Sequence, residues 1–254
     1  DATIGASLLT LHHEDSVIGA AWNKDESRVL TWSGDGTAKL WDATTGASLL
    51  TLHHEDSVNG AAWNEDESRI LTRSSDGTAR VWDAATGNSL LSLHHEGSVN
   101  GAAWNEDESR ILTWSFDGTA RVWDAATGDS LLSLNHERSL NGVNGAAWNK
   151  SESRILTWSS DGTAKLWDAS TGDSLLILHH EGSINGVNGA AWNGEESRIL
   201  TWSFDGAIRI WDAATGKNLF TFSHKDSVNG AAWNRDKSRI LTWSGDSTVK
   251  LWDA

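Results

Sequence analysis

The stretch TWSFDGTARVWD, Thr113–Asp124, decides the fold. Its second half, TARVWD, alternates in the two-residue period of a strand with one buried face. Its middle, SFDG, is turn chemistry, with an Asp that caps its own backbone and a Gly that tolerates a positive φ. Nearly the same twelve residues recur in five other places. The closing pairs are Trp41-Asp42, Trp82-Asp83, Trp123-Asp124, Trp167-Asp168, Trp211-Asp212 and Trp252-Asp253, at spacings of 41, 41, 44, 44 and 41. Units 44–84 and 85–125 are identical at 35 of 41 positions, which points to recent duplication or deliberate design. Self-similarity at this period marks a repeat architecture.

Working outward, the rest of each unit also reads as short strands. In unit 44–84 they are SLLTL (48–52), SVNGAAW (57–63), SRILTRS (68–74) and TARVWD (78–83). The separators NEDE (64–67), SDG (75–77) and the AATG-type segment after each Trp-Asp carry turn residues. No segment holds a helical period, so the class is all-β. One four-stranded unit cannot bury both faces of its sheet. Stacking units around an axis does, and closing the ring removes the exposed ends.

Composition narrows the function. The formal net charge is -15, which argues against a nucleic-acid backbone or an anionic membrane as partner. There is no Cys, hence neither a disulfide framework nor thiolate chemistry. No run approaches 18 apolar residues. The chain lacks an initiator Met, and the expectation is a chain trimmed from something longer, with a cytoplasmic setting. Pro, Cys, Met and Tyr are all absent while Trp occurs 17 times. One founding unit without those residues, copied, accounts for every absence.

Each unit carries a His, a hydrophobic residue four places on, an aromatic, a Ser-x-Asp-Gly-type turn and a closing Trp-Asp. This pattern resembles the WD-repeat β-propeller family over the whole chain. The resemblance implies a six-bladed β-propeller with four antiparallel strands per blade. It also implies a hydrogen-bonded structural set of His, Thr, Asp and Trp in each copy: His13/Thr31/Asp35/Trp41, His54/Thr72/Asp76/Trp82, His95/Thr113/Asp117/Trp123, His136/Thr157/Asp161/Trp167, His180/Thr201/Asp205/Trp211 and His224/Thr242/Asp246/Trp252. Mutual pairing is what a buried indole N–H, imidazole and carboxylate require. The opening DATIGASLLTL matches the segment after a Trp-Asp, and the chain stops at Trp252-Asp253-Ala254. The N-terminal outer strand is therefore expected to join the last blade and close the ring. The expected domain is single, 1–254, with repeats 3–43, 44–84, 85–125, 126–169, 170–213 and 214–254.

Several chemical readings compete with a structural one. A Thr–His–Asp set invites nucleophilic catalysis, but it occurs six times and nothing marks an oxyanion hole, so no catalytic residue is expected. The His-His pairs at 12–13, 53–54, 94–95 and 179–180 invite a metal, yet adjacent residues of an extended chain point to opposite sides, so no metal is expected. The acidic turns NKDES, NEDES, NEDES, NKSES, NGEES and NRDKS lack a calcium-loop spacing and read as a solvated rim. GDGTAK at 34–39 lacks phosphate-loop spacing and a following helix, and no cofactor is expected. Five units place a Trp directly after the Thr of the set: Trp32, Trp114, Trp158, Trp202 and Trp243, with Arg73 in the second unit. These are expected to wedge between blades. The alternative is an aromatic ledge for sugars, in which repetition supplies avidity.

Near-identical copies make their exceptions informative. The residue before the Asp of the set runs Gly34, Ser75, Phe116, Ser160, Phe204, Gly245. The second residue after the His runs Asp15, Asp56, Gly97, Arg138, Gly182, Asp226. Units four and five gain three residues each, LNGVNG at 140–145 and INGVNG at 184–189 in place of VNG. Phe116, Phe204, Arg138, Ser160, Asn141 and Asn185 therefore mark a candidate protein-binding face, since aromatics with an Arg form the usual hot spot. The expected function is a non-enzymatic scaffold recognising a protein or peptide, of the type the family resemblance associates with the sensor end of larger bacterial signalling proteins. A lectin-like glycan binder and a designed or reconstructed propeller without a ligand are the alternatives.

Overall fold

Each Trp-Asp closes the third strand of a meander. The computed structural model describes Gly5 and residues 7–136, 142–180 and 186–254. The first sheet comprises β1 (Val17–Trp22), β2 (Arg28–Ser33), β3 (Thr37–Asp42) and β4 (Ser48–His53). The second comprises β5 (Val58–Trp63), β6 (Arg69–Ser74), β7 (Thr78–Asp83) and β8 (Ser89–His94). The third comprises β9 (Val99–Trp104), β10 (Arg110–Ser115), β11 (Thr119–Asp124) and β12 (Ser130–Asn135). The fourth is β13 (Val143–Trp148), β14 (Arg154–Ser159), β15 (Thr163–Asp168) and β16 (Ser174–His179), and the fifth β17 (Val187–Trp192), β18 (Arg198–Ser203), β19 (Ala207–Asp212) and β20 (Asn218–Ser223). The sixth has β21 (Val228–Trp233), β22 (Arg239–Ser244) and β23 (Val249–Asp253). All pairings are antiparallel between strands adjacent in sequence. The first strands of neighbouring sheets lie against one another, so they form the inner edge.

The core lies between sheets. Leu112, Val122 and Leu134 of the third sheet pack against Val143, Ile155 and Trp167 of the fourth, and the same positions recur at the other junctions. The Trp after the Thr of the set belongs to this packing. Trp114 is registered across from Gly101, where an added Cβ would lie 1.9 Å from its Cζ2. The indole thus lies flat on a residue with no side chain. Trp32, Trp114, Trp158 and Trp202 all pack against inter-sheet clusters, while Trp243 is exposed on the last sheet.

Two features depart from the sequence reading. The expected latch is not made: among the described residues the sixth sheet has three strands, and residues 7–11 join no sheet. Asp1–Ile4 and Ala6 of that segment lie outside the described residues. The side chains such a junction would cover are open in the same structure, Val17 at 51% on the first sheet and Leu251 at 59% on the last. The acidic turns are also more than a solvated rim. Glu67, Glu108, Glu152 and Glu196 sit at left-handed φ, between 53° and 59°. Each accepts a hydrogen bond from an Asn of the preceding sheet, namely Asn23, Asn64, Asn105 and Asn149, and from the backbone N–H that follows that Asn. A non-Gly residue in that region marks a backbone held by its surroundings. Here the side chain clamps one sheet to the next.

Candidate binding face

The His, Thr, Asp and Trp of each unit meet behind the turn joining the second and third strands. In the third sheet, Trp123 Nε1 donates to Thr113 Oγ1 at 2.7 Å, and Thr113 Oγ1 lies 2.7 Å from His95 Nε2. His95 Nδ1 is 2.9 Å from Asp117 Oδ2. The indole only donates and the hydroxyl has one proton. The ionised carboxylate of Asp117 can only accept, so His95 Nδ1 carries a proton and donates to it, and Nε2 of the neutral ring accepts the hydroxyl proton of Thr113. The arrangement repeats in the first, second, fourth and sixth sheets.

The threonines of those four sheets are enclosed in the same way. Thr31 is 5% exposed, and Thr72, Thr157 and Thr242 are 0% exposed. Each Oγ1 lies 2.7–2.8 Å from its His Nε2 and accepts from its Trp Nε1 at 2.8 Å. Thr31, Thr72 and Thr242 also lie 3.4, 3.4 and 3.5 Å from the carbonyls of Lys39, Arg80 and Lys250. The imidazole is the nearer acceptor, so it takes the hydroxyl proton. A nucleophile needs an oxygen that a substrate can reach, and these hydroxyls are enclosed and already paired. Thr31, Thr72, Thr157 and Thr242 therefore lie beneath the candidate face and do not belong to it.

Burial alone would raise the carboxyl of Asp76, but hydrogen bonds from Thr78, His54 and the Glu55 N–H outweigh it and hold it at about 2. Burial pushes His54 and His136 below the ordinary imidazole range, against the pull of Asp76 and Asp161. Those two histidines stay neutral, and every proton of their sets is committed to a structural bond. The first histidines of the pairs, His53, His94 and His179, point to solvent. Among the described residues no group of three His, Asp or Glu is placed to hold a metal.

The fifth set is incomplete. His180 Nε2 reaches Thr201 Oγ1 at 2.6 Å and Trp211 Nε1 donates to the same oxygen. His180 Nδ1, however, is buried with no partner among the described residues, and Asp205 is exposed. The cause is Ala207. In the other sheets a Thr at this position donates to the Asp, as Thr119 does to Asp117 Oδ1 at 2.7 Å, and fixes the carboxylate. The sequence signal was visible as GAIRIWD in place of GTARVWD. Burial, then the charge of Arg209, push His180 down to about 3. Its folded value lies below its ordinary 6.5, so its contribution to stability is full above pH 6.5 and is lost as pH falls toward 3. Urea unfolding is expected to show stability falling through that window. Ala207→Thr should flatten the fall and add about 1 kcal/mol at pH 7 by restoring the hydrogen bond. An unchanged slope would count against the orphaned Nδ1.

The turns in front of these sets hold the candidate face. Phe116 is 51% exposed and Phe204 40%. Phe116 N–H donates to Ser98 O at 2.9 Å, as Ser75 N–H does to Ser57 O, so the turn is built the same way with either side chain. Asp15 and Asp226 lean over Gly34 and Gly245, whereas Phe116 stands beside Gly97. The loop and turn positions face each other, and one is small where the other is large.

The insertions place these turns together. Gly142, at φ 83°, lies against the backbone of Phe116 and accepts the N–H of Ser160 at 3.2 Å. Gly186, at φ 87°, lies against Ser160 and accepts the N–H of Phe204 at 3.3 Å. An added Cβ at either glycine would fall 2.3 Å from the neighbouring turn's Cα. Phe116, Ser160 and Phe204 are thereby linked along one edge. Ser160 Oγ donates to Asn144 Oδ1 at 3.0 Å, so it is half-buried and tied inward. Arg138, Asn141 and Asn185 lie outside the described residues. The bridging role of Gly142 and Gly186 was missed from sequence, although the extra Gly of each NGVNG was its signal.

No curated protein matches the chain. Among solved structures, the computationally designed Ika8 protein is similar, with a TM-score of 0.77 at 27% sequence identity over 97% of this chain and 74% of that one. The family model for the WD domain, G-beta repeat, matches residues 5–42, 46–83, 87–124, 128–168, 172–212 and 216–253. With nearly every residue inside one of six matches and each match ending on its Trp-Asp, the chain belongs to the WD40 repeat family.

Proposed function

We propose that the protein is a non-enzymatic recognition scaffold whose histidine-side face binds a protein or peptide through Phe116 and Phe204. The observation that carries this reading is their exposure on turns whose backbone bonds do not need them. Large apolar side chains exposed together favour contact with a partner. The buried threonine and histidine sets, paired throughout in every sheet but the fifth, support a structural rather than a catalytic role, as is general in the family. Packing of four tryptophans between sheets supports a protein partner over a glycan ledge. In this reading the array serves as the sensor end of a larger signalling protein. The near-identity of the units and the likeness to a designed protein favour a second reading, an engineered or reconstructed array without a ligand.

A phage-displayed peptide library selected on the wild-type protein tests the first reading. Selected peptides are expected to release from the Phe116→Ser/Phe204→Ser variant while its melting temperature is unchanged. Peptides held equally by both proteins would place the binding surface elsewhere, and a library yielding no binders would favour the second reading.

A further inference from the structure

The two ends of the array are unfinished in complementary ways. At each internal junction one sheet offers Leu30, Leu40 and Leu52 or their equivalents, and the next offers Val58, Ile70 and Trp82 or theirs. The last sheet presents the first half of this junction bare. Leu251 is 59% exposed, where its equivalent Leu40 is 1%. The first sheet leaves the second half partly open: Val17 is 51% exposed where Val58 is 0%, Val29 is half-buried where Ile70 is 0% exposed, and Trp41 is covered like Trp82.

The N-terminal segment extends the match. Leu50 and Leu52, on an outer strand, pack on Gly87 of the next sheet, and Leu91 and Leu93 pack likewise on Gly128. Leu9 and Leu11 pack on Gly46 in the same manner. Residues 7–11 therefore lie where the outer strand of a preceding sheet would lie, but with no sheet behind them among the described residues. At the other end, β23 has no fourth strand beside it among the described residues.

Polar links and volumes agree. Asn100, Asn144 and Asn188 each donate to the backbone carbonyl of the next sheet's first Val, and Asn229 is the exposed equivalent on the last sheet, with Val17 O as its counterpart. Asn234 is the equivalent of the clamped Asn residues, and Glu26, at φ 60°, of the clamping Glu residues. Val249 enlarges a position that is Ala in four of the other five units, while Val29 shrinks one that is Ile in the other five. Equivalents of both belong to one cluster at the internal junctions, so the two changes offset each other.

We propose that the occupant of each end is a second copy of this chain, joined head to tail. The last sheet of one copy docks on the first sheet of the next, whose residues 7–12 add to β23 as its fourth strand. Leu9 then pairs with Leu251 and Leu11 with Val249, the register already made by Leu50 with Leu40 and Leu52 with Ala38. The chain's own ends do not cover each other, because Val17 and Leu251 are both exposed in the same molecule. Such a heterologous contact closes into a ring of copies or propagates, according to its rotation.

Sedimentation of three proteins tests this. The wild type is expected to exceed the monomer mass and to grow with concentration. Val17→Asp and Leu251→Asp each spoil one half of the junction, and each alone should be monomeric. Mixed in equal amounts they should form a dimer and nothing larger, because one intact half survives on each. A wild type monomeric at every concentration, whether open or closed on itself, overturns the proposal. So does an oligomer that either variant leaves intact, or a mixture that stays monomeric. Both positions are solvent-exposed in the single chain, so both variants should keep its fold, read as an unchanged circular-dichroism spectrum; Glu26→Lys and Asn234→Lys replace any that does not.

Discussion

Thr113→Val is expected to destabilise the protein by about 2–6 kcal/mol, from about 1–3 kcal/mol for each of two buried groups left unpaired. The substitution keeps shape and removes one hydroxyl. That hydroxyl accepts from Trp123 Nε1 and donates to His95 Nε2, each at 2.7 Å, in a site with 0% exposure. Neither neighbour has another protein partner for the atom concerned among those described. The same change at an exposed hydroxyl, Thr127→Val, should cost well under 1 kcal/mol. Urea unfolding of the two variants is the measurement. A small loss at Thr113 would mean that water re-pairs the indole and imidazole.

Gly101→Ala is the second large effect, expected at about 2–4 kcal/mol. Its new methyl would fall 1.9 Å from Cζ2 and 2.0 Å from Cε2 of Trp114, a rigid bicycle with no free end to bend. The indole would have to leave the packing against Leu112, Val143 and their neighbours. Gly60→Ala provides an internal contrast. It meets the guanidinium tip of Arg73 at 2.0 Å, the far end of a flexible side chain, and should cost about 1 kcal/mol or less. A double-mutant cycle of Gly101→Ala with Trp114→Ala should show strong coupling, because the second change removes the atoms that clash. Additive costs would mean that the two residues do not touch.

Most of the architecture was legible because its signals are local. The Trp-Asp spacing gives the period, TARVWD its strand, and SFDG its turn. The His, Thr, Asp and Trp sets were legible as well, because the same four residue types recur at matched offsets. What escaped requires pairing across distance. That Gly101 lies beneath Trp114 follows only from register. That Glu108 clamps Asn64 follows only from how one sheet sits on the next, and in sequence Glu108 is one acid among several. The break at His180 was written in Ala207, but its consequence runs through a hydroxyl that orients a third residue. The latch failed for a different reason. Residues 7–11 have a strand's sequence, but a strand needs an edge beside it, and local pattern cannot report where that edge lies. At the candidate face, Phe116 and Phe204 stood out because copies of one turn can be compared, whereas the glycine bridges joining those turns could not be seen.

The family match runs from an outer strand through three strands of the following sheet, so each sequence unit straddles two sheets. This offset has a genetic consequence. Near-identical segments recombine unequally, and such events add or delete whole units. Because the phase boundary falls within a sheet, the new neighbours are joined by a contact the chain already makes at every other step. Copy number can then drift without new packing having to be invented. An added or deleted unit redirects the two ends of the arc and leaves its interior as it was.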